Sequence, residues 1–204
     1  MISGGLVYLI DDDFDVREGL TVLMRTHGLD VTAFDGGITF LEALPMLAPG
    51  CLLIDIRMPH ITGLRLQERL AEANCDWPTI IITGHGDIEA CRRAFKSGAV
   101  DFLTKPIEES VLIAAVRTAL ARLTRKQAQN DGASEARRRL SRLTTREAQI
   151  LALVADGLTT KEIARQLDIS PRTIETHRTH IGEKLGTGSV AAMVKVHLAA
   201  AEDA

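Results

Sequence analysis

A chain of 204 residues with 46% hydrophobic content can hold one large or two small packed domains, and its three scattered cysteines, Cys51, Cys75 and Cys91, form neither a disulfide framework nor a metal-ligand spacing. No stretch is apolar for the ~18 or more residues of a membrane helix, and the N-terminus lacks the basic-then-apolar pattern of a secretion signal, so a soluble cytoplasmic protein without a membrane partner is expected. The net charge of −3 conceals an asymmetry: residues 1–120 carry 10 Lys plus Arg against 17 Asp plus Glu, net −7, and residues 121–204 carry 14 against 10, net +4, an acidic half suited to a divalent cation and a basic half suited to a polyanion.

Up to about residue 125, short apolar runs alternate with longer periodic ones, the pattern of a parallel sheet wrapped by helices. Strands are predicted at Leu6 to Ile10, Asp30 to Phe34, Cys51 to Asp55, Thr79 to Thr83 and Asp101 to Thr104. Between them Val16, Leu20, Leu23 and His27 fall at helical spacing, as do Leu64 and Leu66 with Leu70, and Ile88 with Cys91 and Phe95. A fifth helix is predicted from Glu108 to about Gln127. It runs into "KQAQNDGASEARRRLSRL", where apolar residues vanish; residues 126–141 read as a solvated linker with helical bias, whose Arg run can also meet phosphates. Beyond Leu143 no strand pattern appears, and residues 142–204 fit four short helices. "TTREAQILALVADG" opens on a Thr cap with Glu near the third helical position and closes at Gly157; "TTKEIARQL" is capped by Thr159 or Thr160; "SPRTIETHRTHIGEKLG" has Ser170 at the cap, Pro171 first in the helix and Gly186 past its end; "SVAAMVKVHLAAA" is the last.

In a doubly wound parallel sheet, ligands bind beyond the C-terminal ends of the strands. The polar residues that end the apolar runs here are Asp11 and Asp12, Asp55 in "CLLID", Thr83 in "TIIIT" and Lys105 after "DFLT". That set suits phosphoryl chemistry. A carboxylate is a competent nucleophile toward phosphorus, clustered carboxylates supply the oxygen ligands a hard cation such as Mg²⁺ takes, and a hydroxyl and an ammonium can hold the remaining phosphoryl oxygens. Asp13 and Asp15 read instead as helix-start residues, where the positive end of the helix dipole offsets some of their repulsion. Gly84 leaves room beside a phosphoryl group, with His85 on the rim.

The pieces "LIDDDFDVR", "LLIDIRMPHITGL", "IIITGHGD" and "AVDFLTKP" resemble the receiver domain of two-component response regulators over residues 1–125. The resemblance implies a (βα)5 flavodoxin-like fold with Asp55 as phosphoacceptor, served by a sensor histidine kinase. It also implies Mg²⁺ held by Asp11, Asp12, Asp55 and the backbone carbonyl of Arg57, with Thr83 and Lys105 in the family's hydroxyl and lysine roles and Phe102 as the switch aromatic. A rival reading takes "DFDVR" as the nucleophile motif of haloacid-dehalogenase-type phosphatases, with Asp13 attacking and Asp15 as acid/base. Against it, the strand stops at Ile10, and no acidic pair ends a later strand.

"LTTREAQILALVADGLTTKEIARQLDISPRTIETHRTHIGEKLG" resembles the LuxR-type helix-turn-helix of the FixJ/NarL group. Ile163, Ala164, Leu167, Ile169 and Ile174 read as the core between two short helices, of which the second is expected in the major groove of promoter DNA. With Ile174, Ile181 and Leu185 inward, steps of about 100° put Arg172, Glu175, Thr176, Thr179 and Glu183 roughly opposite. Glu175, Thr176 and Thr179 are then the expected base readers, and Lys161, Arg172 and Lys184 the phosphate contacts. The expectation for the whole chain is a transcription factor rather than an enzyme, which dimerises on phosphorylation and has RNA polymerase as a further possible partner. The alternative is a DNA binder that ignores phosphorylation and carries a vestigial receiver.

Overall fold

The structure, a computed structural model, describes residues 5–84 and 88–201, which fall into two compact units, Met1–Arg125 and Lys126–Ala204. In the first unit, β1 (Leu6–Ile10), β2 (Asp30–Phe34), β3 (Cys51–Asp55), β4 (Thr79–Thr83) and β5 (Asp101–Thr104) form a parallel sheet in the order β2-β1-β3-β4-β5. All five strands have the predicted bounds. β3 and β4 are buried at every position, as expected of central strands covered on both faces.

The side-chain period of two sends alternate residues to two cores. Val7, Leu9, Cys51, Leu53, Ile80, Ile82 and Leu103 pack with Met24 of α1 (Phe14–Thr26) and with Leu112, Val116 and Ala119 of α5 (Glu109–Leu140). On the other face Tyr8, Ile10, Leu52, Ile54 and Ile81 pack with Phe40 of α2 (Gly37–Ala43), Leu66 and Leu70 of α3 (Gly63–Glu72) and Ala94 of α4 (Ile88–Lys96). The order reverses between β1 and β3, so the crevice at their C-terminal ends is where this topology places a ligand.

Two features depart from the sequence reading. The Ile88, Cys91, Phe95 stripe of α4 is helical but does not face the core: Ile88 is 85% and Phe95 49% exposed. The helix meets the sheet through Ala94, with Ala90 half-buried beside it, because small side chains allow a closer approach; periodicity shows which residues share a stripe, not what covers it. The second departure is α5, which continues to Leu140 through the stretch read as linker. No proline interrupts residues 109–140, Ala133 and Ala136 are buried, and Glu135 pairs with Arg138 (2.7 Å) and Arg139 (2.9 Å) one turn on.

In the second unit α6 (Thr145–Ala155), α7 (Thr160–Gln166), α8 (Pro171–Leu185) and α9 (Val190–Ala201) enclose Ile150, Leu151, Ile163, Ala164, Ile174, Ile181, Leu185 and Met193, with Leu167 and Ile169 half-buried against them. Thr144 and Thr159 each form a capping box, with Glu147 and Glu162, so Thr159 rather than Thr160 caps α7. Ser170 caps α8 ahead of Pro171, and Gly186 ends it at φ 67°. Asp168, at φ 52°, makes the turn from α7 to α8.

Candidate functional site

At the β1/β3 reversal the backbone brings Asp11 and Asp55 side by side. Asp55 is the last residue of β3 and Asp11 the first after β1; they are 5% and 1% exposed. Lys105, which follows β5, reaches between them. Its Nζ donates to Asp11 Oδ2 at 2.7 Å and to Asp55 Oδ1 at 2.6 Å. The reach is set by backbone: Lys105 N donates to the Thr83 carbonyl (2.7 Å) and Ile56 N to the Ile82 carbonyl (2.9 Å), tying the strand ends into one edge. The Lys105–Pro106 peptide is cis.

The remaining carboxylate oxygens are held by the main chain. Arg57 N donates to Asp55 Oδ2 at 2.6 Å, and Asp13 N to Asp11 Oδ1 at 2.9 Å. Burial pushes the Asp55 carboxyl above its usual range; Lys105 pulls it down, the Asp11 charge pushes it up, and the Arg57 amide lowers it. Burial opposes the Lys105 charge, but its bonds to Asp11 and Asp55 prevail and leave its pKa raised. Two buried carboxylates thus share one ammonium, with the exposed Asp12 carboxylate next in the chain. The local balance is negative and the donors are hard oxygens, which fits a divalent cation such as Mg²⁺. The described residues do not gather Asp12 with Asp11 and Asp55 into a three-carboxylate group. Thr83 is buried at the end of β4, and Phe102 is half-buried in β5 against the core. His85 lies outside the described residues.

The rival nucleophile is not assembled. Asp13 caps α1, accepting from Asp15 N (2.9 Å) and Val16 N (3.2 Å), and Asp15 lies exposed in the first helical turn. Two residues that the sequence reading passed over shape the pocket. Gly63 N donates to the Ile56 carbonyl at 2.9 Å, and a Cβ on Gly63 would overlap the Asp55 carbonyl. Arg17 Nη1 donates to the Asp11 carbonyl at 2.7 Å. A glycine directly after a Thr cap was the available signal for the first; nothing local marks the second.

In the helical unit, Ile174, Ile181, Gly182 and Leu185 are the buried side of α8, and Arg172, Glu175, Thr176, Thr179 and Glu183 are solvent-facing or half-exposed, as the helical steps require. Thr176 and Thr179 return their hydroxyls to the carbonyls of Arg172 (3.1 Å) and Glu175 (3.2 Å). Lys161 and Arg172 are exposed. Lys184, the third expected phosphate contact, has an internal partner: its ammonium donates to both oxygens of the buried Glu147, at 2.8 and 2.6 Å. Burial alone would raise the Glu147 pKa, but the Lys184 and Thr144 hydrogen bonds bring it from 4.5 to about 2. The partners lie 37 residues apart, so the pairing is invisible in sequence.

Residues 7–117 match the response regulator receiver domain family, and residues 141–197 match the LuxR family of bacterial regulatory proteins. The chain is 41% identical over 191 residues to the response regulator protein TmoT of Ectopseudomonas mendocina, covering 94% of this chain and 87% of that one. It is also 41% identical over 194 residues to the transcriptional regulatory protein FixJ of Azorhizobium caulinodans, covering 95% and 92%. Among solved structures, the response regulator StyR superposes with a TM-score of 0.82 at 39% identity, covering 95% of this chain and 98% of that one. Full-length FixJ from B. japonicum superposes with a TM-score of 0.61 at 38% identity, covering 97% of each.

Proposed function

Because the chain belongs to the response regulators of two-component systems, with a receiver domain joined to a LuxR-type DNA-binding domain, we propose that Asp55 is its phosphoacceptor and that phosphorylation there controls how the helical unit binds promoter DNA. The observation that carries this reading is the Lys105 ammonium shared by two buried carboxylates at the β1/β3 reversal.

A carboxylate oxygen of Asp55 attacks the phosphorus of a phosphohistidine on the sensor kinase. The P–N bond breaks as the O–P bond forms, and the imidazole leaves with the proton it carries. Asp11, Asp12, Asp55 and the Arg57 carbonyl are the residues that would hold Mg²⁺, which when bound neutralises charge on the phosphoryl oxygens. Lys105 exchanges an Asp55 oxygen for a phosphoryl oxygen, and the Thr83 hydroxyl turns toward another. Phe102, half-buried in β5, follows into the space that Thr83 leaves, so the surface of β5 and α5 changes. On this reading the chain is a cytoplasmic regulator rather than an enzyme. It pairs on phosphorylation, binds half-sites ~34 Å or a multiple apart, and then meets RNA polymerase. Arg172 and Lys161 make the phosphate contacts, and Glu175, Thr176 and Thr179 the base contacts.

The test is mass in solution and DNA binding, measured with and without a small phosphodonor and Mg²⁺. The wild type is expected to take up one phosphate, double its mass and gain DNA affinity, and Asp55→Asn to do none of these. Phosphate uptake by Asp55→Asn would overturn the site, and full DNA affinity without phosphate would favour the vestigial receiver.

A further inference from the structure

α7 and α8 are joined by a polar relay on the side of α8 between the core and the expected DNA face. Arg178 Nη1 donates to Thr160 Oγ1 at 2.9 Å, and that hydroxyl in turn donates to Glu175 Oε1 at 2.7 Å. Arg178 Nη1 also stands 3.4 Å from the same carboxylate oxygen. The Arg178 side chain is 25% exposed and the Glu175 side chain 59%. Oε1 is therefore engaged from two sides, while Oε2 has no hydrogen bond among the described residues. Thr160 is the first residue of α7, so its position is set by the Thr159–Glu162 capping box, and Arg178 lies one turn after Glu175 on α8.

From this geometry we infer that Thr160 and Arg178 are positioning residues that fix Glu175 as a base-reading acceptor, with Oε2 offered to the exocyclic amino group of a cytosine in the major groove. The inference rests on the DNA-binding reading of α8 and extends it to residues outside the helix face. Three physical points support it. A free Glu beside a phosphate backbone is repelled, and Arg178 offsets that charge within the protein. A flexible Glu loses rotamer freedom on binding, and the relay removes that freedom beforehand. The relay engages Oε1 and leaves Oε2 of a 59% exposed side chain as the remaining acceptor, and an acceptor-only group suits the cytosine amino donor and rejects the O4 and O6 acceptors of thymine and guanine. Thr176 and Thr179, whose hydroxyls are returned to the helix backbone, keep their methyl groups for apolar contact.

The experiment uses the full-length, phosphodonor-treated chain. Duplexes are selected from random sequence with the wild type, and each base pair of the selected half-site is then varied in competition binding. The wild type is expected to prefer cytosine at one position by about tenfold or more, and Glu175→Ala to lose that preference there alone. Thr160→Val, which keeps the shape but not the hydroxyl, is expected to lose most of the same preference, Thr160→Ser to restore it, and Thr160→Val combined with Glu175→Ala to lose no more than Glu175→Ala. Thr160→Val with an unchanged base preference, or weakened equally at all bases, would overturn the relay's role. A wild type that selects no sequence would instead overturn the DNA-binding reading on which the relay rests.

Discussion

Asp12 and Asp13 are chemically identical neighbours with opposite fates. Asp13 is held as the cap of α1 by two backbone amides, whereas the Asp12 carboxylate is exposed, next in the chain to Asp11. Asp12→Ala is expected to abolish Mg²⁺-dependent phosphate uptake with little change in stability. Asp13→Ala should retain uptake and lose about 1 kcal/mol, the usual worth of a cap; uptake assays paired with urea unfolding separate the two. Gly63 acts at the same scale. A methyl group there has nowhere to go but into the Asp55 carbonyl, so Gly63→Ala must shift the end of β3 or the start of α3. We expect a loss of about 1–3 kcal/mol and slower phosphorylation, and wild-type values for both would show that the close approach is dispensable.

Between elements, the contacts that orient the helices are polar and distant in sequence. The buried Gln67 of α3 donates its amide to the carbonyls of Ala94 (3.2 Å) and Ser97 (3.0 Å), closing the C-terminal end of α4, while the apolar stripe of α4 faces solvent. α4 is thus fastened at that end by Gln67, a small alanine contact and the ion pair of Arg93 with Glu68 of α3 at 3.7 Å. Gln67→Leu, similar in volume, leaves the Ser97 carbonyl without its donor, while the Ala94 carbonyl keeps the bond from Ala99 N (3.0 Å), and is expected to cost about 1–3 kcal/mol. Hydrogen exchange should accelerate in α4 more than in α3; uniform acceleration across the receiver would rule out a local clamp. The α7–α8 relay and the Arg146 bond to the Leu167 carbonyl (2.9 Å) follow the same rule in the helical unit.

At the scale of the molecule, the two units have separate cores and opposite charge, and their stabilities should respond differently to acid. The Glu147 pKa is depressed, so its contribution is present above the ordinary value of 4.5 and is lost as pH falls through about 2. The stability difference between wild type and Glu147→Gln, read from the unfolding of the helical unit, is expected to be constant above pH 5 and to shrink between pH 4.5 and 2. A difference that stays constant through that window would show that Lys184 does not hold the ionised form.

Much of this architecture is written locally. The bounds of β3 and β4 follow from apolar runs that end in polar residues, because strands buried on both faces are filled mainly by apolar side chains, and the caps of α6, α7 and α8 follow from Thr and Ser hydroxyls at helix starts. The strand-end rule also picks out Asp11, Asp55, Thr83 and Lys105 as one edge. The continuation of α5 to Leu140 shows in sequence only as a helical bias, because its residues lack an apolar stripe, although short-range ion pairs and buried alanines keep it helical. The sequence by itself determined the strands, the caps of α6 and α8 and the edge on which the chemistry collects, since each depends on neighbours within a few residues. Only the tertiary structure decided that Lys105 bridges Asp11 and Asp55, that Lys184 pairs with Glu147, and that Thr160 and Arg178 hold Glu175. The direction of these lysine side chains is set by whichever opposite charge the fold brings within about 3 Å, and in sequence those partners stand 37 to 94 residues apart.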